Sequence, residues 1–167
     1  MPGLEYRDVP WNLPAMVENI PKIAAAAAAD EADWLALWGA YLRFYKTHLP
    51  DGITRATWRR ILDEGHPFRC LIARADDGTA LGFALHFPHP SSWCAVGDMY
   101  LEDLYVAPDA RGQGVGRALI ERIVADAKAE KCDRVYWMTG ADNRTARALY
   151  DRLTGGDDGH VRYRLTP

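Results

Sequence analysis

Residues 111–117 read Arg111-Gly112-Gln113-Gly114-Val115-Gly116-Arg117, with glycine at every second position inside a pair of arginines. Glycine lets a backbone approach a ligand closely and take angles closed to other residues. A helix that begins at such a turn points its unpaired N–H groups and the positive end of its dipole into it. That arrangement binds phosphate or pyrophosphate, and Arg111 and Arg117 would add charge-assisted contacts. Spacing excludes two better-known phosphate loops. The sixth position from Gly112 is Arg117, and from Gly114 it is Leu119, so G-x-G-x-x-G is absent. No Gly-Lys-Ser/Thr occurs here either, which excludes the P-loop. The pattern that fits is [R/Q]-x-x-G-x-[G/A], through Arg111, Gly114 and Gly116.

Other residues carry less specific chemistry. Glu102 and Asp103 are adjacent carboxylates on a predicted strand, where neighbours point to opposite faces, so one of the two faces any given site. His86 and His89 lie three apart beside Pro88 and Pro90, but no carboxylate or cysteine completes a ligand set nearby, so no metal is expected. Cys70, Cys94 and Cys132 are odd in number, widely spaced and outside any C-x-x-C pair. They imply a reducing compartment rather than a disulfide framework, and Cys132 reads as a small buried residue. No Ser-His-Asp arrangement stands out.

The elements that must position these residues follow from periodicity. Residues 1–21 hold Pro2, Pro10, Pro14 and Pro21 and are expected to form an N-terminal extension rather than one long helix. Ala24–Ala29 favours helix by propensity alone. Asp30 then reads as an N-cap, with Asp33 in the first turn. From there Trp34, Leu37, Trp38, Tyr41 and Tyr45 fall on one helical stripe, most simply a core-facing one. A second helix is predicted over Thr54–Asp63, with Trp58, Ile61 and Leu62 inward and Gly65 and Pro67 stopping it. Strands Phe68–Arg74 and Ala80–Phe87 flank the turn Asp76-Asp77-Gly78. Pro88 and Pro90 are expected to open a loop to about Gly97. A strand Tyr100–Val106 precedes the glycine turn. A helix from about Gly114 to Lys131 carries Val115, Leu119, Ile123 and Ala127 on one face. A strand Arg134–Thr139, a helix Asn143–Arg152 with Ala146, Leu149, Tyr150 and Leu153 inward, and a last strand near His160–Leu165 complete the reading. Alternating strands and helices in the second half predict an α/β or α+β sheet with helices packed on it.

Bulk properties narrow the class. The 167 residues fit one domain with a sizeable core, here residues 22–167. With 49% apolar and 26% charged residues the composition is that of a soluble globular protein. The net charge of -3 gives no sign of nucleic acid or an anionic membrane as partner, and a mildly acidic surface tolerates cationic small molecules. No apolar run is long enough for a membrane span. Ala24–Ala29 is preceded by Glu5, Asp8 and Glu18 and by no basic segment, so no signal peptide is read and a cytoplasmic home is expected.

Two ordered motifs carry a family resemblance. The stretch Leu101-Glu102-Asp103-Leu104-Tyr105-Val106 through Leu119 resembles the acetyl-CoA motif of the GNAT N-acetyltransferases, and Asn143-Arg144-Thr145-Ala146-Arg147-Ala148-Leu149-Tyr150 resembles that superfamily's second motif, N-x-x-A-x-x-L-Y. Upstream, Ile23, Ala26 and Asp30 keep the spacing of its first strand and first helix, with Ala24 where an arginine is usual. On that reading Lys22–Ala26 is a strand, against the helical preference of alanine. The likeness spans about residues 22–165 and looks closest to the branch that acetylates polyamines and related small amines, or histone-like peptides. It implies acetyl-CoA as co-substrate, with no metal. Leu104, Tyr105, Val106, the turn Arg111, Gly112, Gln113, Gly114, Val115, Gly116 and Arg117, together with Asn143 and Tyr150, would bind the donor. It implies direct attack of an amine on the thioester in a ternary complex. Glu102 is the first candidate for base and Asp103 the reserve; the N–H of Val106 would hold the oxyanion and Tyr150 would act as general acid. Acidic residues Asp98, Glu102 and Asp103 favour a small cationic amine, such as a polyamine or amino acid. A protein lysine or N-terminal acetyltransferase and a non-catalytic acyl-CoA sensor remain as alternatives. The N-terminal arm and the last strand offer a route to a homodimer, as in related enzymes.

Overall fold

The computed structural model describes residues 21–167; the expected N-terminal extension lies, but for Pro21, outside the described residues. The chain falls into two compact units, one ending at Met138 and the other comprising Thr139–Pro167. The first holds β1 (Lys22–Ala25), α1 (Glu31–Phe44), α2 (Asp51–Leu62), β2 (Arg69–Arg74), β3 (Ala80–His89), β4 (Asp98–Val106), α3 (Val115–Ala129) and β5 (Val135–Trp137). The second holds α4 (Arg144–Thr154).

The five strands form one sheet in sequence order, β1-β2-β3-β4-β5. The first three pairings are antiparallel and β4–β5 is parallel, so the sheet is mixed and the fold is α/β, as the alternation of elements predicts. The alanine-rich stretch is divided: Lys22–Ala25 forms an edge strand paired with Arg74–Leu71, where β2 offers its free edge to extended backbone, and Ala28–Asp30 forms a short 3-10 helix before α1. Asp30 precedes α1 but makes no side-chain cap to it. Its carboxylate instead accepts from the Ala27 N–H (2.8 Å) and pairs with Arg74 (2.5 Å), which also reaches Asp33 (2.7 Å). This ties the start of α1 to the end of β2.

One face of the sheet is an aromatic core. Trp34, Leu37 and Trp38 of α1 and Trp58 of α2 pack on Cys70, Ile72, Phe83 and Tyr105. Trp34 stacks on Trp38 (5.3 Å between ring centres) and on Trp58 (5.0 Å). The predicted stripe on α1 therefore begins in the core, but it rises to the surface: Tyr41 is half-buried and Tyr45 is 48% exposed. In α2 the inward residues are Thr57 and Trp58. Ile61, half-buried, also packs against this core, whereas Leu62 is exposed, contrary to expectation; α2 begins three residues early, at Asp51. The opposite face carries α3, whose Val115, Leu119, Ile120, Ile123, Val124 and Ala127 are buried.

Other boundaries differ from the sequence reading as well: β4 begins at Asp98 rather than Tyr100, and β5 spans only Val135–Trp137 rather than Arg134–Thr139. β3 continues through Pro88 to His89, where it has outrun β2 and pairs with β4 alone, so the missing proline N–H disturbs one ladder at most. The last strand does not form. Gly155, Gly156 and Gly159 all take positive φ, and Asp157 and Asp158 accept turn hydrogen bonds from Gly159 and His160. Beyond them Val161, Tyr163 and Leu165 alternate as a strand would, yet pair with no other strand and are 72%, 91% and 96% exposed. Of the two elements expected to join two copies, the arm lies outside the described residues, and residues 160–167 have no strand partner among the described residues.

His86 sits on the α3 side of β3, 1% exposed, with no hydrogen bond to either ring nitrogen. Burial pulls its pKa down to about 4, while Asp126 and Glu130 push it up and Arg69 and Arg122 push it down. Its folded pKa lies below the ordinary value of ~6.5, so the unfolded chain takes the proton first as pH falls. Stability is lost from about pH 6.5 down to about 4, by up to ~3 kcal/mol in all. Comparing urea midpoints across this window, His86→Leu should remove most of that slope; superimposable curves for the two proteins would show that His86 does not carry it.

Candidate functional site

β4 has nine residues and β5 three. Their pairing runs only from Met99↔Val135 to Leu101↔Trp137. Past Leu101 the β5 side of β4 has no strand partner among the described residues. The ladder to β3 contains a bulge at the same place: Leu85 faces Asp103, His86 faces Leu101, and Glu102 is the extra residue. The bulge reverses which residues point their backbone groups outward. Before it, the Met99 N–H donates to Arg134 O on the β5 side (2.9 Å). After it, the Ala107 N–H donates to Leu81 O on the β3 side (2.8 Å). Alternation then directs the N–H groups of Asp103 and Tyr105 toward β3, and those of Leu104 and Val106 toward the open side. Two amide donors thus line an unfilled sheet edge.

That edge leads through the short 3-10 turn Pro108–Ala110 into the glycine turn. Gly112 (φ 78°) and Gly114 (φ 80°) are both left-handed, and Gly114 caps α3. A Cβ at Gly112 would meet open space, so the requirement there is for the backbone angle itself. The first bond of the helix runs from the Ala118 N–H to Gly114 O (2.9 Å), which leaves the N–H groups of Val115, Gly116 and Arg117 ahead of the ladder and aimed at the turn. Val115 contributes only its backbone, since its side chain is buried. The expected side-chain cations are occupied with the protein itself. Arg111 Nε donates to Val106 O (3.1 Å), and its guanidinium lies over the rings of Phe44 (5.7 Å) and Tyr105 (5.9 Å). Arg117 pairs with Glu121 (2.7 Å), and the Gln113 amide donates to Asp109 O (2.7 Å). Anion affinity at this turn rests on backbone N–H groups and the dipole of α3.

The carboxylates divide sharply. Glu102 is exposed on the bulge. Asp103 is half-buried on the α1 side of the sheet and accepts a 2.5 Å hydrogen bond from the Tyr41 hydroxyl. Burial pushes its pKa up to about 6, partly opposed by the Tyr41 hydrogen bond and reinforced by Glu102. Asp98, expected on the acceptor side, is instead buried at the far end of the strand and ion-paired to Arg134 (2.9 Å). Its carboxylate is spent on structure. Tyr105 likewise points its ring into the aromatic core. Tyr41 is the residue that sequence reasoning passed over: it was one more member of an aromatic stripe, and nothing local announces that its hydroxyl meets a carboxylate 62 positions away.

In the second unit, Asn143 caps α4, its side-chain carbonyl accepting from the Ala146 N–H (3.4 Å) and its amide donating to Thr139 Oγ1 (3.2 Å). Arg147 braces the same helix against Ala141 O and Asp157. Tyr150 is half-buried on α4, two turns beyond the cap. His86 and His89 do not converge: His86 faces α3, while His89 bonds to Pro90 O (2.8 Å) and to the Tyr136 hydroxyl (2.9 Å). Among the described residues no group of three or more His, Cys, Asp or Glu is placed to hold a metal ion.

The chain resembles known proteins in sequence and in fold. A model of the Acetyltransferase (GNAT) family matches residues 32–155. The chain is 34% identical over 139 residues to the D-amino-acid N-acetyltransferase HPA3 of Saccharomyces cerevisiae, covering 83% of this chain and 86% of that one. It is 32% identical over 127 residues to an aminoglycoside N(6')-acetyltransferase type 1 of Klebsiella aerogenes, covering 70% and 76%. Among solved structures, a probable acetyltransferase superposes with a TM-score of 0.76 at 24% identity, over 87% of this chain and 97% of that one. The aminoglycoside acetyltransferase AAC(6')-Iy, bound to a bisubstrate analogue of CoA, does so with a TM-score of 0.73 at 23% identity, over 87% and 98%. The family model covers residues 32–155, more than half of the chain, and the chain therefore belongs to the GNAT acetyltransferase family.

Proposed function

We propose that this enzyme transfers an acetyl group from acetyl-CoA to a small cationic primary amine by direct attack within a ternary complex. The observation that carries the reading is the open half of β4 running into the glycine turn. An acyl-CoA arm holds amides along its length and a pyrophosphate at its end. The N–H of Leu104 suits an amide carbonyl of the arm as an added strand would, which leaves that of Val106 for the reacting carbonyl. The N–H groups of Val115, Gly116 and Arg117 suit the pyrophosphate. Relatives named for D-amino acids, thialysine and aminoglycosides support an amine acceptor.

The chemistry then needs three protein groups. An alkylammonium has a pKa near ~10.4 and must lose a proton before attack. Glu102, exposed on the bulge, takes that proton through water. As the amine nitrogen bonds to the thioester carbon, negative charge gathers on the carbonyl oxygen, and the Val106 N–H stabilises it. The C–S bond breaks, the leaving thiolate receives a proton from Tyr150, the residue that matches the family motif, and the second proton shed by the acylated nitrogen returns to the Tyr150 phenolate. Asn143 holds α4 in register for that task. The three free thiols support a cytoplasmic setting, and among the described residues no helix is long and apolar enough to cross a membrane.

The reading is tested by incubating the protein with acetyl-CoA and a panel of polyamines, L- and D-amino acids, aminoglycosides and a lysine-rich peptide, following free CoA and product masses. We expect amine-dependent CoA release with one acetylated small amine. Acetylation of the peptide alone would move the acceptor to protein lysine, and silence from every amine would overturn the proposal. For the general acid, Tyr150→Phe should lower kcat by about 100-fold or more with little change in either KM; an unchanged kcat would remove Tyr150 from the mechanism.

A further inference from the structure

We propose that Tyr41 is a positioning residue of the acceptor site, whose hydroxyl fixes the Asp103 carboxylate as the counter-ion that receives the acceptor's cationic nitrogen. The inference rests on the acetyl-transfer reading above and deepens it to a substrate class: amines that arrive charged and carry N–H donors.

The Tyr41 ring has no freedom to turn away. It stacks on Trp38 (5.4 Å) and meets the edges or faces of Tyr45 (4.9 Å), Phe83 (5.9 Å) and Tyr105 (6.2 Å). Four aromatic neighbours on α1, β3 and β4 hold its hydroxyl on Asp103 Oδ1 at 2.5 Å. Burial and the Asp103 charge drive the phenol far above its ordinary pKa, so Tyr41 remains a hydrogen-bond donor throughout the working range. This is the arrangement that sets a carboxylate rather than one that delivers a proton.

Asp103 lacks what a sheltered carboxylate ordinarily has. None of the ion pairs among the described residues includes it. The titratable groups that interact with it are Tyr41 on α1, Cys70 on β2 and Glu102 on β4, and Tyr45 on α1 interacts with Tyr41; none is cationic. A buried charge is costly unless paired, and an ammonium supplies the missing partner. With Oδ1 committed to Tyr41, Oδ2 is the oxygen left for an incoming N–H. The rings nearby already hold a cation: the Arg111 guanidinium lies over Phe44 and Tyr105, and Phe44 and Tyr45 are 50% and 48% exposed. The bulge thereby splits two neighbouring acids between two tasks. Glu102 meets water, and Asp103 meets the amine.

The sign of the pH effect follows. Only ionised Asp103 pairs with a cation, and its pKa stands at about 6. Amine kcat/KM should therefore fall below about pH 6. The Tyr41 hydrogen bond lowers that pKa, so its loss raises it.

The test compares wild type, Tyr41→Phe and Asp103→Asn, using the panel amine with the highest kcat/KM. Carbon-13 NMR follows the Asp103 carboxyl titration in parallel. In Tyr41→Phe we expect that titration and the acid limb of kcat/KM to move up together by about one pH unit. The amine KM should rise about tenfold with the acetyl-CoA KM unchanged. Asp103→Asn, nearly isosteric, should abolish the limb near pH 6 and raise the amine KM at least as much. The inference is overturned if the titration and limb of Tyr41→Phe coincide with wild type, if both KM values rise together, or if the best acceptor is an uncharged amine. Should Tyr41→Phe fail to fold, an unchanged amine KM in Asp103→Asn overturns it alone. Failure of the acetyl-transfer reading looks different: wild type itself releases no CoA with any amine, while the NMR titration still reports on the pair.

Discussion

A nine-residue strand beside a three-residue one leaves backbone donors that the sheet cannot satisfy. Buried or sheltered N–H groups need acceptors, and an extended edge with free amides is a template for another extended chain. Here the second half of β4 is that edge. The bulge at Glu102 decides which amides it offers, by shifting the outward set to Leu104 and Val106. The proposed site depends on this one mismatch: the groove and oxyanion contact we propose for the donor, and the direct run into the glycine turn, all follow from it.

The rest of the unit keeps the mismatch open and aligned. The aromatic core of Trp34, Trp38, Trp58, Phe83 and Tyr105 pins α1 and α2 to one face, and the apolar stripe of α3 covers the other. At Gly82 a Cβ would sit 2.4 Å from Tyr105 O, so the β3 backbone opposite the end of β4 has to lack a side chain. The same aromatic core that stabilises the fold extends outward through Tyr41 to Asp103. Packing and chemistry therefore share residues, and removal of a ring here disturbs both.

Legibility in the sequence followed locality. The turn at 111–117 was readable because its glycines answer demands of the backbone at those positions, and Gly112 and Gly114 indeed take positive φ. Asn143 was readable as a cap for the same reason, and its side chain bonds to Ala146 three residues on. The α3 stripe followed from period, and the α/β class from the alternation of strands and helices. What was hidden depends on distant partners. Glu102 and Asp103 look equivalent in Leu101-Glu102-Asp103-Leu104, and only the register between β3 and β4 makes one the bulge and the other a sheltered partner of Tyr41. Asp98 looked available until Arg134 took it. Val161, Tyr163 and Leu165 have the alternation of a strand, but a strand needs a neighbour as well as a pattern.

Amide hydrogen exchange, read residue by residue along β4 with and without CoA, tests the central claim most directly. In the free protein Met99, Leu101 and Tyr105 should exchange slowly, and Leu104 and Val106 quickly. Addition of CoA should slow Leu104 and Val106 together with Val115, Gly116 and Arg117. If Leu104 and Val106 are already slow in the free protein, or stay fast when CoA is bound, the open edge of β4 is not where the donor lies.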